Sequence, residues 1–234
     1  MTFSLLGLVN ALSPKPKASR RVAADLAYGP HPRQRLDVYR PKAATADLPL
    51  VVFIYGGAWN SGDRRDYGFV GRSLAARGHV VMIPDYRVLP EVEYPDFLTD
   101  CALAVSWASR HAREFGARAS RLVLVGHSAG AYNAAMLALD PRYGVSTDVR
   151  AVVGLSGPYD FYPFDIDISK RTFGAVADPR STQPINFVTR AAPPMLLVSA
   201  DGDKLVYPRN TRALAARLRD QGVPVVEQHL PGGG

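Results

Sequence analysis

Cysteine is nearly missing from this sequence. Cys101 stands alone among 234 residues, which excludes an internal disulfide framework. No group of His and Cys has zinc-ligand spacing, so no metal or other cofactor is expected. A block of like charge is also lacking. The 28 Lys and Arg exceed the 21 Asp and Glu to give a formal charge of +7, but the excess is scattered in pairs such as Arg20-Arg21 and Arg64-Arg65. Scattered charge reads as a solvated surface, and no nucleic-acid partner is expected. Long apolar runs are absent too. The stretch from Phe3 to Leu12 is too short to span a bilayer, and no Lys or Arg precedes it as a secretory signal would require. It reads as a short surface-packed helix ended by Ser13-Pro14, within an N-terminal helical segment of about residues 1–21. The expected location is cytoplasmic, with no membrane partner.

What is present is enough apolar material for a core, 47% of residues, in one regular order. From about Arg35, β-rich apolar runs alternate with helical patterns. "RLDVYRP", "LPLVVFIYGG", "HVVMIPDYR", "RLVLVGHSAG", "VRAVVGLSG", "PPMLLVSAD" and "VPVVEQHL" read as strands. Between them lie helical stretches, among them "DYGFVGRSLAARG", "YPDFLTDCALAVSWASRHAREFG", "AGAYNAAMLAL" and "PRNTRALAARLRDQG". Phe97, Leu98, Cys101, Val105 and Trp107 form the apolar face of the second. Strands separated by helices of this length predict an α/β fold: a doubly wound, mainly parallel sheet with helices on both faces. With no repeat and no dividing linker, residues 1–234 are expected to form a single domain. Residues 159–192 break the regularity with Pro163, Pro179 and Pro184, and read either as a short lid or as a ragged crossover.

Ligands on such sheets bind at the carboxyl ends of the strands. There, "LVLVGHSAGAYNAA" runs a buried strand into Gly126-His127-Ser128-Ala129-Gly130 and then a small-residue helix. This is G-x-S-x-G in a strand–turn–helix context, the arrangement that exposes a nucleophilic serine on a tight turn. Small neighbours at Gly126 and Gly130 make room for the turn. The positive end of the helix and the Ala129 N–H favour an anionic intermediate. Ser156 also follows a strand, but Gly157-Pro158 forbids a continuing helix, so it reads as a cleft-lining turn.

A second signal is "VVFIYGGAWNSGDRR", where two glycines end a buried strand and let backbone N–H groups approach a ligand oxygen. This loop, "PDYRVLPEVEYP" at 84–95 and the serine turn together resemble α/β-hydrolase esterases of the hormone-sensitive-lipase and kynurenine-formamidase branch. The resemblance covers roughly residues 22–234. It implies an oxyanion hole formed by the N–H groups of Gly57, Ala58 and Ala129. It also implies a structural role for Asp85, bracing the loop. Tyr55 stands where the family usually has His, and Trp59 is either a cleft wall or a packing aromatic. After the strand "PPMLLVSA", Asp201 and Asp203 are both candidate acids. The family pattern Gly-x-x-Asp-x-x-Val, with Ala200 replacing the Gly, selects Asp203 with Val206.

The base is the open position. His31, His79 and His111 precede the serine, whereas the order in this fold is Ser, Asp, His. His127 adjoins Ser128, and neighbouring side chains diverge. His229 follows Asp203 but lies within the last strand. The family's loop reads Pro-Gly-x-Gly-His, and "LPGGG", Leu230 to Gly234, matches up to the residue before the His. Position 235 is therefore expected to be His and the chain a fragment. The resemblance implies a serine hydrolase of small, short-acyl carboxylic esters; an arylformamidase is the nearest alternative. A non-catalytic binding protein of the same fold is the expectation if Gly234 is the natural end.

Overall fold

The structure, a computed structural model, describes residues 5–43, 46–145 and 148–232. In chain order its elements are α1 (Leu5–Leu12), β1 (Ser19–Ala27), β2 (Arg35–Pro41), β3 (Leu48–Ile54), α2 (Gly68–Ala76), β4 (Val80–Pro84) and α3 (Asp96–His111). These are followed by β5 (Ala117–His127), α4 (Ala129–Leu139), β6 (Val149–Leu155), α5 (Asp167–Phe173), β7 (Met195–Ala200), α6 (Arg209–Asp220) and β8 (Val225–Leu230). The strands form one sheet of order β1-β2-β4-β3-β5-β6-β7-β8. β2 runs antiparallel to both β1 and β4, and every later pairing is parallel.

The expected architecture is the one observed, with one strand unforeseen. β1 begins at Ser19, so the expected helical segment of residues 1–21 holds a helix only over Leu5–Leu12 among its described residues. β1 escaped detection because it is an edge strand with two register shifts against β2 and with Asp25 at φ 59°. Its side chains do not alternate cleanly between core and solvent. α1 is fastened by Asn10, whose Oδ1 accepts the Phe69 N–H and whose Nδ2 donates to the Arg65 carbonyl, both at 2.8 Å.

The two faces of the sheet are covered unequally. A Cβ at Gly126 would collide with the backbone of Gly130 and Ala131, which places α4 on the Gly126 side of β5. α4 is buried along its whole length, and its alanines let it lie close to the strands, as a helix apolar all round must. α6 lies on this side as well, where Arg219 reaches Glu227 of β8. α2 packs on the opposite side, over β1, β2 and β4. Beyond it, that same side of β5–β8 presents Val123, Val153, Leu155, Leu196 and Val198 half-buried, and Val226 and Leu230 exposed. Among the described residues no helix covers them.

Residues 159–192 form a helical excursion rather than one ragged crossover helix. α5 and two 3-10 turns, Pro179–Thr182 and Pro184–Phe187, fold over the carboxyl ends of the strands. Phe161, Phe164 and Phe173 join Trp59, Phe97 and Tyr132 in one aromatic cluster.

Candidate active site

Ser128 sits between the last residue of β5 and the first of α4, at φ 53° and ψ −124°. A non-glycine residue held there costs on the order of 1–3 kcal/mol and persists only where its surroundings fix it. Its N–H donates to Leu155 O of β6 at 2.8 Å. Its carbonyl accepts the N–H groups of Ala131 and Tyr132 at 2.9 and 3.2 Å. Three glycines make the turn sterically feasible. A Cβ at Gly130 would overlap the carbonyl oxygens of Ile54 and Tyr55, and one at Gly126 would meet α4. One at Gly56 would stand 2.9 Å from the Ser128 Cβ, so the glycine loop after β3 lies directly against the serine.

That loop is held in an uncommon conformation. Gly57, Ala58 and Trp59 all have positive φ, at 137°, 48° and 57°. The Gly57 carbonyl accepts Asn60 and Ser61 N–H groups at 3.0 and 3.1 Å, and the Trp59 carbonyl accepts Leu89 N–H at 2.8 Å. Trp59 proves to be both a packing aromatic and a cavity wall. Only 4% of it is exposed, and its Nε1 donates to Asn133 Oδ1 at 3.1 Å.

Tyr55 anchors the base of the loop. Its ring stacks between Tyr67 and Tyr86, with centroids 5.4 and 5.0 Å away. Its hydroxyl donates to Asp85 Oδ1 at 2.7 Å and accepts from Arg33 Nη2 at 3.1 Å. Arg33 also donates to the carbonyls of Tyr86 and Gly62, closing a brace around the loop. Asp85 takes the Arg64 N–H at 2.7 Å and pairs with the Arg64 guanidinium, which reaches on to Asp37 and Asp25. Burial pushes the Asp85 carboxyl above its ordinary range, opposed by the Tyr55 hydroxyl and Arg64. Asp85 is thus engaged in bracing. Arg33, Asp37 and Arg64 escaped the sequence reading because surface-type residues in separate segments give no local pattern.

Asp203 lies on the turn after β7 with 8% exposure, and its Oδ1 accepts the Leu205 and Val206 N–H groups at 2.9 Å. The Asp201 side chain is exposed. The Asp203 charge is felt at the elbow, where it raises the His127 pKa. Burial of that imidazole outweighs it and holds His127 below the ordinary histidine range. Ser128, Ala58 and Ala129 line a cavity of about 230 Å³ together with Trp59, Phe161, Ile166 and Ile168. Pro158 lines it too, and Ser156, at φ 48°, does not. The rim residues Lys204, Leu205 and Tyr207 follow Asp203 directly, and proximity to that motif was the one signal that could have found them.

His31 pairs with Glu91, and His79 and His111 contact the carbonyls of Leu74 and Trp107. His229 belongs to β8, three places from β5 in the sheet, roughly 14 Å at the usual strand spacing. Gly232 has φ 116°, as a turn requires, while Gly233 and Gly234 lie outside the described residues. Among the described residues no group of three or more His, Cys, Asp or Glu could hold a metal ion. Nor is any helix there long and apolar enough to cross a membrane.

Comparison with known proteins places this geometry. Esterase LipC of Mycobacterium tuberculosis is 35% identical over 216 residues, covering 82% of this chain and 54% of that protein. Isoprenylcysteine alpha-carbonyl methylesterase ICME of Arabidopsis thaliana is 35% identical over 153 residues, 62% of this chain and 36% of its own length. The chain thus spans about half, or less, of the length of these curated relatives. A truncated carbohydrate esterase from gut microbiota has the same fold, with a TM-score of 0.84 at 22% identity over 94% of this chain and 91% of that one. The family model described as BD-FAE matches residues 36–218, which include the glycine loop, the serine elbow and the Asp203 turn. The chain belongs to the BD-FAE family and has the α/β-hydrolase fold.

Proposed function

We propose that this chain is the catalytic domain of a serine hydrolase acting on small carboxylic esters. The observation that carries the reading is the strained turn at Ser128, open to a cavity that Ala58 and Ala129 also line. Ser128 Oγ attacks the ester carbonyl carbon, and the resulting oxyanion is held by the N–H groups of Gly57, Ala58 and Ala129. The amino end of α4 adds its partial positive charge. A histidine takes the serine proton and passes it to the leaving alcohol, while Asp203 orients that ring and stabilises its charged form. The aromatic and branched walls of the cavity and its modest volume favour short acyl groups.

Fluorophosphonate labelling of the protein tests the nucleophile. Labelling is expected, and Ser128→Ala is expected to abolish it and to lower ester turnover by about 10³-fold or more. A protein that contains the base yet neither labels nor turns over p-nitrophenyl butyrate would be a binding protein of this fold. Faster hydrolysis of formyl anilides than of butyryl esters would reassign it as an arylformamidase.

A further inference from the structure

The last strand carries a chain of polar contacts that the reaction above does not use. His229 Nε2 lies 2.9 Å from Glu227 Oε1, and His229 Nδ1 lies 2.8 Å from the Ser199 hydroxyl of β7. Arg219 of α6 donates to the other Glu227 oxygen at 2.7 Å. A carboxylate only accepts, so Nε2 carries a proton and donates to Glu227, while Nδ1 shares a hydrogen bond with the Ser199 hydroxyl, which can donate or accept. The sequence of groups mimics a Ser-His-acid triad. Ser199, however, lies within a regular strand, paired in register with His229 and only 2% exposed, with no elbow to present it. It has no role as a nucleophile.

The location gives the chain another use. β8 is the edge strand, and its side chains facing away from α6, Val226 and Leu230, are 61% and 45% exposed. Apolar burial therefore specifies the register of β8 only weakly, and a weakly specified edge strand is prone to slip. A half-buried polar link, in which Glu227, His229 and Ser199 all have partners, supplies the missing specificity. The ladder it fixes continues past both strands. Asp201 N–H donates to Leu230 O at 2.9 Å, and Gly202 N–H donates to Gly232 O at 2.7 Å. The turn carrying Asp203 is thus tied to the segment that follows β8.

We infer that His229 is a positioning residue: bridging Glu227 and Ser199, it locks the β7–β8 register and through it sets the place of the Asp203 turn against the segment after Leu230. This rests on Asp203 as the triad acid. His229→Leu removes both contacts, whereas His229→Gln can still donate to Glu227 and accept from Ser199. In the full-length enzyme His229→Leu is expected to lower kcat for p-nitrophenyl butyrate about tenfold or more, with KM within about twofold. Exchange of the Asp201, Gly202 and Asp203 amides should rise about tenfold, with the Gln variant within about threefold of wild type on both readouts. Unchanged loop exchange in His229→Leu, or a loss of kcat that Gln does not restore, overturns the inference. If His229→Leu does not fold, Ser199→Ala decides by the same readouts: faster loop exchange supports the lock and unchanged exchange overturns it. Failure of wild type to label at Ser128 would refute the esterase reading but leave the exchange experiment to judge the lock.

Discussion

At the residue scale, Tyr55 shows how a departure from a family pattern is absorbed. Where the resemblance leads one to expect His, this chain has a phenol clamped between two rings and bonded at its hydroxyl to Asp85 and Arg33. Tyr55→Phe keeps the stacking and removes only that link, so the variant is expected to lose about 1–3 kcal/mol of stability, read as a lowered urea midpoint with unchanged slope. An unchanged midpoint would mean the hydroxyl contributes nothing to the brace. His127 makes a second residue-scale case. Its Nδ1 is buried without a hydrogen-bond partner, and burial depresses its pKa. As pH falls through about 6.5, the unfolded chain takes up a proton that the folded His127 refuses, so this residue favours unfolding on the acid side. Between pH 7 and 5 wild type should lose stability more steeply than His127→Gln. Equal slopes in urea titrations at the two pH values would remove His127 from the account.

Elements were the most legible level of this chain. The run "AGAYNAAMLAL" is α4 residue for residue, because a small-residue helix starting at a glycine turn has no competing reading. The buried parallel strands were equally plain, since unbroken apolar runs of five to seven residues bounded by Gly or Pro leave little choice of period. β1 was missed for the converse reason, its polar and bulged pattern carrying neither period. Among the candidate site residues, Ser128, the glycine loop and Asp203 stood out in the sequence because each follows a strand. The Arg33–Tyr55–Asp85–Arg64 brace did not, because its members meet only through the fold. The sharpest element-scale expectation concerns the strand–turn–helix unit itself. A methyl group at Gly130 has nowhere to go but into the β3 carbonyls of Ile54 and beyond. Gly130→Ala must push α4 off the sheet, at an expected cost of about 3 kcal/mol or more, with loss of Ser128 labelling before loss of helical circular dichroism. Retained labelling with an unshifted midpoint would show that α4 does not approach β3 this closely.

For the whole molecule, the unequal cover of the sheet has the largest consequence. A parallel sheet is stable when both faces are buried, and here α3, α4 and α6 serve one face while α2 serves the other only over β1, β2 and β4. Beyond α2, Phe53, Phe69, Leu74, Val125 and Val153 wall an open apolar cavity of about 480 Å³. The surface continues over Leu196 and Val198 to the exposed Val226 and Leu230. Contiguous apolar surface beyond a few hundred Å² is uncommon on a soluble monomer and promotes association. The polypeptide of residues 1–234 is therefore expected to bind a hydrophobic dye in its folded state and to sediment as a dimer or larger species at roughly 10 μM and above. Val226→Lys combined with Leu230→Lys places two charges on the exposed end of that surface, away from the α4 and α6 side. It should move the sedimentation coefficient toward the monomer and reduce dye binding while leaving the thermal midpoint nearly unchanged. A protein that is monomeric and dye-free at ten times that concentration would show that the apolar face is already covered.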